Sequence, residues 1–383
     1  MLTLTRPLAR SHPPRVGKPR LRDVSTRIFN HDVRGCTAGR VVGDHLYSSR
    51  ALGITEPDDI IQLHPDLKSE WSIICAHYDR IGLSVTDRVI WNVDPHELSD
   101  HPERKVSVFY FGATEQEARP NSPWYRVVEH INSKNNFITL AKELGVPVPA
   151  TRCYADVAEI DETAIRQIAF PCYLKAAVSL SGVDIYRCAS QRDLRAARSY
   201  FRSGVPVQVQ SEISSDYFLN LQYEVKCNGL SHLAVTEQVL EGPVHQGNRY
   251  PARSAPWDCV EPMAQWLYEK GIEGVLAFDV AVIDRPGYRN NLAIECNPRF
   301  NAASYPTAIA KKLGIGHWLA RNFKTEYRTL ADIDLAGLEY DPFTGEGIVL
   351  VNWGTILVGR LTFLIAGPVQ VQERLALELH KGL

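Results

Sequence analysis

Residues 292–301 read Leu-Ala-Ile-Glu-Cys-Asn-Pro-Arg-Phe-Asn, which sets Glu295, Asn297 and Arg299 on alternate positions. In an extended chain, side chains two apart share a face, so a carboxylate, a carboxamide and a guanidinium would project together. Oxygen ligands of this kind suit a hard cation such as Mg²⁺, and a neighbouring arginine suits a phosphate or carboxylate. A polar strand end with an Asn-Pro turn also occurs where nothing binds. A second acid tips the balance: Asp279 interrupts the apolar, β-branched run 274–283. A carboxylate in a buried strand is costly unless a cation or a donor meets it. If residues 284–291 link two strands of a hairpin, Asp279 comes near Glu295. Two acids and an amide could then hold one or two Mg²⁺ ions, with Mn²⁺ as an alternative. Cys296 alternates to the opposite face and reads as core.

Lys175 closes the strand-like run 170–175 and precedes Ala176-Ala177-Val178-Ser179-Leu180-Ser181-Gly182-Val183. Backbone amides, the hydroxyls of Ser179 and Ser181, and a turn at Gly182 could cradle phosphates while the ammonium neutralises them. This is not a Walker loop, because the lysine comes first and no G-x-x-x-x-G-K occurs. Further along, Glu237-Gln238 and a loop over 245–251 could meet substrate, with Arg249 pairing a carboxylate and His245 as a weaker candidate base. The plain alternative for that loop is a solvated hairpin.

These side chains need elements to position them. Phe137, Leu140, Ala141 and Leu144 follow Lys134 at helical spacing, and Gly145 with Pro147 and Pro149 ends the helix in an extended exit. Short apolar runs at 71–75, 88–91 and 106–112 predict strands of a small α/β domain over 27–130. From 170 onward, strands are expected at 205–210, 218–226 and 233–239, with helices at 193–201 and 260–270. Residues 336–383 predict a strand-rich C-terminal lobe that ends in a helix over 370–380. The run 348–367 is interrupted by Asn352, Arg360 and glycines, so two buried strands around a Gly359 turn explain it better than a membrane helix.

The chain has 383 residues, 45% hydrophobic and 22% charged, which is enough for two or three domains of an ordinary globular protein. A formal charge of −2, without an aromatic-basic platform, gives no push toward nucleic acid and favours small-molecule chemistry. The eight cysteines show no C-x-x-C spacing and are expected to be free thiols in a reducing cytoplasm. Residues 1–26 are basic and proline-rich. They resemble an organelle signal in charge, but Pro7, Pro13, Pro14 and Pro19 spoil its helix, so a disordered or loosely docked tail is expected.

Taken in order, residues 130–320 resemble the ATP-grasp superfamily. The resemblance implies an α/β (α+β) ATP-grasp fold over 131–335, preceded by a Rossmann-like domain. It implies that Lys134 and Lys175 contact nucleotide phosphate beneath the loop of Ser179, Ser181 and Gly182. Residues 209–217 resemble the hinge between the two grasping subdomains, where the backbone of Ser211, Glu212 and Ile213 would read adenine and Asp216 would meet ribose. Asp279, Glu295 and Asn297 match the family's metal ligands, and Arg299 matches the arginine that steadies the transferring phosphoryl group and the acyl intermediate. Departures are Ser211, near which an acid is common, and Ala176-Ala177 in place of a more glycine-rich loop start.

The implied activity is a carboxylate-amine ligase that forms an amide or peptide bond between small substrates such as amino acids. It would use ATP and Mg²⁺ and release ADP and phosphate through an acyl-phosphate. The implied partners are a small-molecule carboxylate and an amine, with a homodimer common in such families and neither nucleic acid nor membrane expected. Rival readings are a kinase or thioester-forming ligase, or a non-catalytic nucleotide-binding protein, on the same fold. A biotin-dependent carboxylase component is disfavoured because no biotinyl-lysine segment occurs and Met stands only at positions 1 and 263.

Overall fold

The computed structural model describes residues 26–37, 41–178, 184–226, 229–241 and 244–383. Nearly all of the basic tail lies outside these residues, as do Ser179, Ser181 and Gly182.

Three sheets carry the chain. The first is parallel and runs β3-β2-β1-β4, from β1 (Arg27–Asn30), β2 (Ile60–Gln62), β3 (Val89–Ile90) and β4 (Lys105–Val108). Strand order reverses between β1 and β4, as in Rossmann-like domains, and such a reversal opens a crevice at the carboxyl ends of the strands. The expected strand at 71–75 is instead the start of a helix, Trp71–Arg80. Its apolar run was too short to reveal its period, but Ile74, His77 and Tyr78 are buried at helical spacing.

The second sheet is antiparallel and runs β5-β8-β6-β7, from β5 (Thr151–Tyr154), β6 (Cys172–Ala176), β7 (Ile185–Cys188) and β8 (Val207–Ser211). Cys172, Leu174, Val207 and Val209 pack its own small core. Tyr173, Lys175, Gln208 and Gln210 therefore occupy the other face.

The third sheet has eight strands in the order β13-β12-β9-β10-β11-β14-β16-β15. Its members are β9 (Tyr217–Lys226), β10 (Gly229–Glu241), β11 (Val244–Tyr250), β12 (Gly274–Arg285), β13 (Tyr288–Asn297), β14 (Trp318–Lys324), β15 (Gly347–Asn352) and β16 (Arg360–Ala366). Alternation decides its two faces. Leu219, Leu221, Tyr223, Phe278 and Val280 join a core with Met263, Ala264 and Leu267 of the helix Glu261–Glu269. Asn220, Gln222, Asp279 and Asn297 take the opposite face, which is polar although deeply buried at Asn220 and Gln222.

Residues 212–216 pass directly from β8 in the second sheet to β9 in the third, so a five-residue link joins the two sheets. The pair β15 and β16 does flank a left-handed Gly359, and the helix Val369–Gly382 follows. These strands are not a separate sheet, however; through β14 they extend the eight-stranded one. Among the described residues no helix is long and apolar enough to cross a membrane.

Candidate functional site

The hairpin of β12 and β13 sets Asp279 directly opposite Glu295, and Ala277 opposite Asn297. The pairing then skips Ile294, because Val280 faces Ala293. Such a bulge twists a strand locally and re-aims its side chains. The hairpin turn is tighter than the expected 284–291 link, since both strands continue to Arg285 and Tyr288. Cys296 is 8% exposed and belongs to the core on the far face, as alternation predicts.

Amides surround the Asp279 carboxylate. Asn220 Nδ2 and Gln238 Nε2 donate to its Oδ1 at 2.7 and 2.8 Å, and Asn297 Nδ2 donates to Oδ2 at 3.3 Å. Asn297 Oδ1 in turn accepts from Arg299 Nη1 at 2.8 Å. Asn301 Nδ2 donates to Asn220 Oδ1 at 3.3 Å, which ties the residues after β13 back to β9.

Cations surround Glu295. Lys134 begins the helix Lys134–Glu143, and its Nζ lies 3.2 Å from Glu295 Oε2. The Lys134 backbone N–H donates to Ala177 O, so the helix start is also tied to the chain after β6. Lys175 is 9% exposed on β6 and donates through Nζ to Gln210 Oε1 at 2.7 Å.

The charges shape one another. Burial, reinforced by the facing Glu295, pushes Asp279 up to about 7 against the pull of Asn220 and Asn297. Burial alone would also raise Glu295, but Lys134, Lys175 and Arg299 outweigh it and hold that carboxyl well below the usual range. Burial draws Lys175 down to about 8, with Lys134 adding to the effect and Glu295 opposing it. Two carboxylates facing across a strand pair, beside a carboxamide, form an all-oxygen donor set that fits a hard divalent cation. The rise at Asp279 comes first from burial and second from the facing Glu295, and a bound cation would offset both.

The remaining candidates are distributed as follows. Ser211 N–H donates to Ala150 O, and Glu212 N–H donates to Pro171 O. The Glu212 carboxylate is held by Arg187 at 2.6 and 2.8 Å and by Tyr173 Oη at 3.1 Å. Ile213 is half-buried within the link, and Asp216 Oδ2 accepts from Asp284 N–H at 2.7 Å, close to the hairpin end. The expected loop at 245–251 is mainly strand: β11 lies in the interior of the sheet, between β10 and β14. Its Gly, Asn and Arg looked loop-like, but Gly247 is needed there, because a Cβ would overlap the Ala320 carbonyl oxygen. His245 Nε2 lies 2.9 Å from Asn248 Oδ1, and burial lowers its pKa. Glu237 is engaged by Arg253 at 2.5 and 2.8 Å, while Arg249 sits opposite it in register with a buried Nε that has no partner among the described residues. None of these three side chains is among the hydrogen-bond or ion-pair partners of Asp279, Glu295 or Asn297.

No protein-family model and no curated protein matches the sequence. Solved structures do match. N5-carboxyaminoimidazole ribonucleotide synthetase from Thermus thermophilus aligns with a TM-score of 0.57 at 14% identity, over 94% of this chain and 98% of that one. The Staphylococcus aureus N5-carboxyaminoimidazole synthetase complexed with ADP gives 0.58 at 11% identity, over 94% and 98%. The Campylobacter jejuni biotin carboxylase in its β-γ-ATP complex gives 0.58 at 12% identity, over 89% and 87%. The chain has the ATP-grasp fold.

Several polar residues around this charged centre escape the sequence pattern. Asn220 on β9 holds Asp279, and the alternation of Leu219-Asn220-Leu221-Gln222-Tyr223 is the signal that could find it; Gln238 on β10, expected to meet substrate, also holds Asp279. Gln222 pairs with Ala277, which pairs with Asn297, and it is fully buried with neither amide atom satisfied. Gln208, opposite Lys175 in register, is likewise fully buried and unsatisfied. Buried carboxamides without partners are expensive, and in register Gln208 lies opposite Lys175 and Gln222 lies two strands from Asn297.

Proposed function

We propose that the chain is an ATP-dependent carboxylate-amine ligase that joins small substrates, with amino acids as the preferred class, through an acyl-phosphate. The observation that carries this reading is the opposed pair Asp279 and Glu295, flanked by Asn297 and by the cations Lys134, Lys175 and Arg299. A γ-phosphoryl group moving to a carboxylate concentrates negative charge, and fixed cations lower that barrier without any side-chain nucleophile.

Asp279, Glu295 and Asn297 would hold a divalent cation, which when bound neutralises β- and γ-phosphate charge. Lys175 and Lys134 orient the phosphates, and release of Lys134 from Glu295 would free both groups for that task. A substrate carboxylate oxygen attacks the γ-phosphorus, and the bond to the β-bridging oxygen breaks to give ADP. The amine then attacks the carbonyl carbon, phosphate leaves with the bonding pair, and the amine gives up a proton. Arg299, anchored by Asn297, would stabilise the anionic oxygen in both steps. The link at 212–216 would bring nucleotide between the two antiparallel sheets, with Ser211, Glu212, Ile213 and Asp216 along its edge.

The test is nucleotide release from Mg·ATP with pooled amino acids and small carboxylates, bicarbonate included, followed by mass spectrometry. ADP with a condensed product, and a hydroxamate when hydroxylamine replaces the amine, is the expected result. AMP as the nucleotide product, or ADP without any hydroxamate, would overturn the acyl-phosphate reading.

A further inference from the structure

A second buried cation, Arg50, stands beside Arg299 at the Phe109 ring and is unused by this chemistry. Arg50 is 8% exposed, and its Nε and Nη2 are buried without a hydrogen-bond partner among the described residues. Its neighbours are rings rather than acids: the guanidinium carbon lies 4.5 Å from the ring centres of both Phe109 and Tyr305, and 5.2 Å from that of Tyr47. Arg299 lies against the same Phe109 ring at 5.3 Å, and its Nε is also buried and unpartnered. Planar rings desolvate and orient a guanidinium, yet they leave its in-plane N–H groups unsatisfied.

Two titratable groups near Arg50, His31 and Cys36, are neutral. His31 is enclosed between Tyr305 Oη at 2.8 Å and Ser107 Oγ at 3.1 Å, and burial followed by the nearby Arg50 keeps it neutral. The Cys36 thiol is pushed up to about 12 by burial despite Arg299 and Arg50, so it too stays uncharged near neutral pH. Asp32 and Glu115 also act on Cys36, but the Asp32 carboxylate is engaged by Arg34 at 2.8 Å and that of Glu115 accepts from Gly112 N–H at 2.9 Å. Arg299 has Glu295 within electrostatic reach, but Arg50 has no ion-pair partner among the described residues, and a buried guanidinium without a counter-anion is costly.

Their place in the fold points the same way. His31 directly follows β1 and Phe109 directly follows β4, so the cluster stands at the carboxyl ends of the two strands where order reverses. Arg299 reaches it from the metal-ligand side, two residues past Asn297. We infer that Arg50 and Arg299 form the seat of an anionic group, a carboxylate or a phosphate, carried by the acceptor substrate. That the anion belongs to the acceptor rests on the ligase reading; the anion seat does not. The amine substrate would then be an acidic one, held by its anion at the end of the parallel sheet with its amine turned toward Asn297 and Arg299. Planar, bidentate donors suit both anions.

Calorimetry on the full chain, with succinate and with glycerol phosphate as probes, each with and without saturating Mg·ADP, tests this. Wild type should bind at least one probe, and the probe that binds names the anion as carboxylate or phosphate. Arg50→Gln should weaken that binding by about tenfold or more, and Arg50→Lys, which keeps charge but not the planar fork, should fall between. Unchanged Mg·ADP affinity in both variants reports an intact fold. Equal probe affinity in wild type and Arg50→Gln, or no binding of either probe to wild type at about 10 mM, overturns the inference. Probe binding that depends on Arg50 in a chain that fails to bind Mg·ADP would support the anion seat while removing the ligase reading.

Discussion

Glu295 and Cys296 are neighbours in sequence with opposite surroundings, one among cations at the cleft and one in the core. Glu295→Gln should reduce Mg²⁺-dependent ADP release by about 100-fold or more, whereas Cys296→Ala should keep activity and lose about 1–2 kcal/mol in urea unfolding. Equal activity losses in two folded variants would contradict the division of faces. Lys175 makes a pH prediction. Burial lowers its folded pKa from 10.5 to about 8, so between those values the folded chain binds fewer protons than the unfolded one. Its contribution to stability therefore rises with pH across that window. Nucleotide phosphate requires the charged form, so Mg·ATP affinity should fall by up to about tenfold per pH unit above pH 8, and Lys175→Arg should flatten the profile. A pH-independent affinity in wild type would remove Lys175 from the phosphate site.

Elements position these residues, and β11 is the clearest case of a misleading local sequence. Its Gly247 lies where β11 meets β14, the contact through which β14, β16 and β15 join the rest of the sheet. Gly247→Ala should cost about 2–4 kcal/mol and raise hydrogen exchange in β14 and β16 more than in β12. Uniform protection in the variant would mean that the strands absorb the methyl without separating. The helix Trp71–Arg80 teaches the same lesson from the other side, because five apolar-rich residues fit either period. Longer patterns were legible: the helix after Lys134 and the strands β9, β10, β12 and β13 all carry enough residues to show their alternation or their spacing.

At the scale of the whole molecule, the nucleotide reading requires a ligand that touches both antiparallel sheets, since Lys175 stands on β6 while Asp279 and Glu295 stand on β12 and β13. Mg·ATP at 100 times its Kd should stabilise the fold by about 2.7 kcal/mol. Exchange should slow in β6 and β8 as well as in β12 and β13; protection confined to one sheet would contradict a site between them.

The sequence by itself determined the oxygen-rich face of Glu295 and Asn297, the acid at Asp279, the lysines and the family resemblance. The face and the acid follow from strand alternation, which is a local property, and the roles of the lysines from the resemblance. Only the tertiary structure decided that Lys134 meets Glu295, that Asn220 and Gln238 hold Asp279, and that Arg50 shares the Phe109 ring with Arg299. Those partners are far apart in the chain and come from different elements. Their meeting depends on strand order, on register and on how the sheets stack, and no local period encodes those.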